Sequence, residues 1–140
     1  MSRILSLDYG SKRVGIAVTD PEQIIATGLT TVPAKDIFDF LTRYMAKEPV
    51  ESFVVGEPKH LDNTPSQSAE QTNTFIDKLK KLFPAITVYK VDERFTSRMA
   101  SRTMIDGGMK KMKRRDKAMI DKISATIILQ TFMEMKRNSE

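Results

Sequence analysis

Residues Ile4–Asp20 read ILSLDYGSKRVGIAVTD. Two apolar runs rich in Ile, Leu and Val flank a short glycine-containing turn, the pattern of two strands joined by a tight connection. Arg3–Leu7 and Val14–Thr19 are the predicted strands. A third, Ile24–Val32, is closed by Pro33, so the chain opens on an antiparallel meander. One acid, Asp8, stands where the first run ends, and Gly10, Lys12 and Arg13 follow within five residues.

Downstream the apolar period changes. Ala34–Lys47 repeats as a helix, with Ile37, Leu41 and Tyr44 on one face. Val50–Val55 is a short apolar strand leading into a loop over Glu57–Asn63. Thr64, Pro65 and Gln67 then supply an N-cap, a first-turn proline and a reciprocal capping partner for a helix running to Leu82. Ile86–Val91 alternates as a strand. Thr96 caps a further helix that ends at Gly107–Gly108, and a last helix covers Lys117–Lys136. Strand–helix–strand units imply parallel neighbours with right-handed crossovers. The expected fold class is therefore α/β, a five-stranded mixed sheet in which the three-strand meander joins two parallel strands, flanked by helices.

At 140 residues the chain is expected to be one domain with a core of its own. It contains no cysteine, which excludes disulfides, iron–sulfur clusters and thiolate zinc sites. With no signal-peptide pattern and no apolar run near the roughly 20 residues a membrane span needs, a cytoplasmic location is expected. Net charge is +5. The segment Met109–Lys117 concentrates it, with Lys110, Lys111, Lys113, Arg114, Arg115 and Lys117 against a single acid. Such a run either forms a solvated loop or attracts a polyanion. It lacks the apolar face of a membrane-surface helix, so nucleic acid is the expected partner, with no membrane contact.

Ligands of such sheets gather beyond the carboxyl ends of the parallel strands. Asp8 is expected just past the first strand, and the pair Asp92–Glu93 just past the last. On the final helix Asp121, Ala125, Ile128 and Phe132 fall on one face, so Asp121 heads an otherwise apolar row. That carboxylate either complements the helix N-terminus or is turned inward, where it needs a partner or a metal. Asp8, Glu93 and Asp121 together would set three negative groups close enough to require a cation. With only oxygen ligands on offer, that cation is Mg²⁺ or Mn²⁺. Carboxylate-held divalent ions beside a basic surface point to phosphodiester hydrolysis, which needs neither a histidine base nor a serine nucleophile. His60, the one histidine, has no metal-ligand spacing around it and is read as a surface residue.

Gly10 then lets the backbone turn close to an anionic ligand, with Lys12 and Arg13 offsetting phosphate charge; a plain glycine hairpin with two exposed cations fits equally. Arg94 either grips a phosphate or forms a structural ion pair. Thr96 and Ser97 are read as helix caps, and Tyr9 either stacks on a base or is buried beneath the turn.

The motifs LDYGSKRVGIAVTD, VVGEP, VDERFTS and DKISATIILQ, in this order, resemble the YqgF/RuvX family, whose members are described as pre-16S rRNA nucleases or Holliday junction resolvases. The likeness runs from Leu7 to Gln130. It implies a ribonuclease H-like fold and a metal-dependent nuclease site in which Asp8, Glu93 and Asp121 are catalytic. Asp92 shares the third motif and could share the role of Glu93, and Glu57 is a reserve ligand. Ser124 departs from the alanine common in the family. The implied substrate is precursor 16S ribosomal RNA, cut at its 5′ end, with a four-way DNA junction as the alternative. The chain would act as a monomer or homodimer. A different class altogether, a nucleic-acid-binding protein that keeps the acids for folding, remains open.

Overall fold

A computed structural model describes residues 2–10, 12–57, 67–92 and 117–138. The opening hairpin forms as its alternation dictates, with strands β1 (Arg3–Tyr9) and β2 (Arg13–Thr19) pairing antiparallel. The Gly10 N–H donates to the Arg13 carbonyl at 2.9 Å and closes the turn. A Cβ on Gly10 would lie 2.9 Å from that same oxygen, so the tightness of the hairpin already calls for glycine. Because the turn is this short, β1 continues past its expected end at Leu7. Asp8 lies inside the strand, paired with Gly15, and not beyond it.

Strand β3 (Ala26–Pro33) completes the meander on β2, with a register shift that leaves Leu29 without a partner. A single 3₁₀ turn over Ala34–Asp36 leads into helix α1 (Ile37–Lys47). Strand β4 (Val50–Glu57) returns parallel to β1, and β5 (Thr87–Asp92) lies parallel to β4. Helix α2 (Gln67–Leu82) connects them, and α3 (Lys117–Asn138) follows. The strand order is β3-β2-β1-β4-β5, the expected mixed sheet. Both parallel strands run further than their apolar stretches. Glu57 and Asp92, expected in loops, are the last residues of β4 and β5 and are register partners.

Alternation along the strands divides the core in two. On one face Leu5, Leu7, Ile16, Phe53 and Val55 pack against Ile37 and Leu41 of α1 and Phe75, Ile76 and Leu79 of α2. On the other, Ile4, Ala17, Val54 and Val91 meet Ala125, Ile128, Leu129 and Met133 of α3. Ser6 is fully buried on that second face, and its hydroxyl donates to the Ala125 carbonyl at 2.5 Å, which ties α3 to the central strand. Among the described residues no helix is long and apolar enough to cross a membrane.

Candidate active site

The site follows from how closely α3 approaches the sheet. Gly15, in the middle of β2, faces the backbone of Asp121: a Cβ there would sit 2.0 Å from the Asp121 carbonyl oxygen and 2.4 Å from its carbon. Glycine inside a strand marks such close backbone contact. Gly28 on β3 does the same one turn along, where a Cβ would meet the Lys122 side chain at 2.9 Å and the Thr126 hydroxyl at 3.0 Å. These two glycines seat the first turns of α3 directly on the meander.

That seating brings two of the expected acids together. Residues directly opposite in an antiparallel pair project to the same face, with Cβ positions about 5 Å apart. Asp8 is opposite Gly15, so it projects toward α3, on the side of Ile4 and Ser6. The Asp121 Cβ is 3.0 Å from where a Gly15 Cβ would be. Adding this to the roughly 5 Å cross-strand spacing puts the Asp8 and Asp121 Cβ atoms within about 8 Å of each other. Asp121 thus leads the buried row of Ala125 and Ile128, as its helical period predicts, at the rim where β1 ends.

Arg13 is part of the same cluster. Its Nε donates to Asp121 Oδ2 at 2.8 Å, with the two side chains 36% and 21% exposed. The arginine expected to meet phosphate is therefore engaged with an acid of the site. Lys12, by contrast, is exposed, and its carbonyl accepts from the Ala34 N–H.

The two reserve acids fall elsewhere. Leu7, Val55 and Lys90 form one row across the parallel strands, so Gly56 and Val91 lie in the next row and Glu57 and Asp92 in the one beyond. Val91 packs on the α3 side, whereas Val55 and Val88 pack on the α1–α2 side. By alternation Glu57 and Asp92 project to the α1–α2 side, away from Asp8. Tyr9 also turns to that side, where its ring stacks on Phe75 at 4.4 Å; this favours the burial reading over an open base platform.

Glu93, Arg94, Thr96, Ser97, Lys110, Lys111, Lys113, Arg114 and Arg115 lie outside the described residues, as do His60 and the Thr64–Pro65 cap. Lys117 opens α3. Among the described residues no three carboxylate or histidine side chains form a metal-holding group. Sequence reasoning missed Gly15, Gly28 and Ser6. The first had a visible signal, a glycine within an otherwise β-branched strand.

The model of the RuvX family, described as Holliday junction resolvase, matches residues 2–135. A protein of Flavobacterium johnsoniae named "Putative pre-16S rRNA nuclease" is 54% identical over 98% of this chain and 99% of its own length. Proteins of the same name from Christiangramia forsetii and Bacteroides thetaiotaomicron are 56% and 53% identical over at least 95% of this chain and 98% of their own. Among solved structures, T. thermophilus RuvC in complex with a Holliday junction substrate superposes with a TM-score of 0.59 at 14% identity, covering 96% of both chains. That likeness extends to the fold, a ribonuclease H-like one.

Proposed function

The chain belongs to the RuvX family, and from that premise we propose that it is a nuclease, hydrolysing phosphodiester bonds at the 5′ end of precursor 16S ribosomal RNA. The observation that carries the reading is the meeting of Asp8 and Asp121 over Gly15 at the end of the central strand.

Two carboxylates on one face, with Cβ atoms within about 8 Å, make an oxygen donor set suited to a hard cation. Mg²⁺ or Mn²⁺ fits it, with Asp8 and Asp121 as ligands and Glu93 as the third. Of the two acids in DER, Asp92 faces away from Asp8 by alternation, which supports Glu93 in that role. Bound there, such an ion would supply an acidified water and positive charge for the departing oxygen.

The chain's own residues do the rest. Asp8, fixed within a paired strand, keeps its side chain directed to the α3 face. Gly15 and Gly28 hold Asp121 at constant depth against it. Lys12 at the exposed hairpin, with Arg94 and the Lys110–Lys117 run, neutralises the phosphate backbone and sets its register. The protein is cytoplasmic and acts as a monomer or homodimer.

A cleavage assay compares precursor 16S rRNA, a four-way DNA junction and single-stranded RNA, each with Mg²⁺ and with chelator, using wild type and Asp8→Asn. Cleavage of the precursor in Mg²⁺ is expected, with loss of about 10²–10³-fold in the variant and retained binding. Equal activity of Asp8→Asn would sink the assignment. Since the family model carries the description Holliday junction resolvase, selective junction cleavage would move the substrate to branched DNA while leaving the chemistry intact. Tight binding without cleavage of any substrate would indicate a non-catalytic binding protein.

A further inference from the structure

Arg13, expected to meet phosphate, is bonded instead to an acid of the site. It is the first residue of β2, and it reaches Asp121, 108 positions away, through Nε at 2.8 Å. Asp121 is only 21% exposed and, with Asp8 on the same face, would otherwise face a like charge across Gly15. Like-charged carboxylates at close range need a cation between them or beside them. Among the described residues, the cation bonded to Asp121 is Arg13.

We propose that Arg13 is a stand-in for the divalent ion, holding the Asp121 carboxylate in the metal-free protein and giving it up when metal binds. This rests on the metal-dependent reading above. A ligand oxygen lies about 2.0–2.6 Å from a bound Mg²⁺ or Ca²⁺-sized ion. A guanidinium held on the same carboxylate repels that ion and competes for its lone pairs. The two cations therefore oppose each other at Asp121, and by linkage each weakens the other's hold by the same factor. Arg13 acts through Asp121 and is a positioning residue. Its contact keeps the carboxylate turned to the sheet until metal arrives, at the expense of metal affinity.

The test is calorimetric titration of Mn²⁺ alone into wild type, Arg13→Gln, Arg13→Lys and Asp121→Asn. Thermal unfolding of each is followed in chelator and in saturating Mn²⁺. Arg13→Gln should bind Mn²⁺ about fivefold more tightly, the factor expected for removing one partly exposed ion pair. Its deficit in melting temperature in chelator should shrink in Mn²⁺. Arg13→Lys, which keeps the charge, should stay nearer wild type, and Asp121→Asn should bind weakly. Independently of any variant, the Arg13 Nε–H resonance, protected in the metal-free protein, should exchange faster on adding Mg²⁺. A merely structural ion pair predicts the opposite: unchanged or weaker Mn²⁺ binding by Arg13→Gln, a deficit equal in both conditions, and an unaltered Nε–H signal. Those results would overturn the proposal while leaving the nuclease reading in place. Absence of Mn²⁺ binding to wild type and Arg13→Gln alike would overturn both.

Discussion

At the scale of single residues, the two glycines under α3 differ in what they hold away. At Gly15 the obstacle is backbone, the Asp121 carbonyl group, which has no rotamer to escape into. At Gly28 it is side chain, the Lys122 Cγ at 2.9 Å and the Thr126 hydroxyl at 3.0 Å, which a change of rotamer can withdraw. Gly15→Ala should therefore lower stability by about 3 kcal/mol, since overpacking against fixed backbone forces the helix to move. Gly28→Ala should cost no more than about 1 kcal/mol, because better strand propensity offsets part of the crowding. Urea unfolding of both variants checks the order; equal stabilities would mean that α3 is not seated as described. As Asp121 is carried by the displaced turn, Gly15→Ala should also lose nuclease activity even where it remains folded.

At the scale of elements, the patterns that one segment carries by itself were legible and those that need a second segment were not. The helical period of α3 named its buried row, and Ala125 and Ile128 are fully covered. Truncating Ile128→Ala should cost about 2–5 kcal/mol, read as a lower denaturation midpoint. The meander and the two parallel strands were likewise visible as apolar runs. Strand ends were not: Asp8, Glu57 and Asp92 extend their strands because neighbouring backbone supplies hydrogen-bond partners, which no residue type announces. The pairing of Arg13 with Asp121 was hidden for the same reason. The connection between β2 and β3 offers a pH test. Asp20 accepts from the N–H groups of Ile24 and Ile25 at 2.7 and 2.8 Å. The Ile25 bond foremost, with that of Ile24, holds the Asp20 carboxyl below its ordinary value of 3.8. A carboxyl lowered in the folded state contributes stability above its unfolded value and loses it as pH falls through the folded one. The Ile24 and Ile25 amide resonances should therefore shift with a midpoint below 3.8. A midpoint at or above that value would mean the two bonds do not form in solution.

At the scale of the whole molecule, charge is divided against itself. The chain carries a net +5, yet the carboxyl end of its sheet gathers Asp8, Glu57, Asp92 and Asp121. A nucleic acid approaching that rim meets repulsion from these acids, Asp8 and Asp121 of the proposed site among them, so the attraction must come from elsewhere on the surface. Arg13 is taken up by Asp121, and Lys12, the cation left exposed at the hairpin, is too little by itself. The largest concentration of positive charge in the sequence is the run from Lys110 to Lys117, six basic residues within eight positions. If each neutralises one phosphate, log affinity for duplex should fall with log salt at a slope of about −5. Replacing Lys110, Lys111, Lys113, Arg114 and Arg115 with glutamine should flatten the slope to about −1, weakening binding at low salt far more than at high salt. The contrast with Asp8→Asn is then sharp: that variant should bind at least as well as wild type, with the slope intact, because it removes repulsion at the rim and no phosphate contact. A slope that stays near −5 after the five replacements would mean that another surface carries the backbone, and would detach the basic run from the site on the sheet.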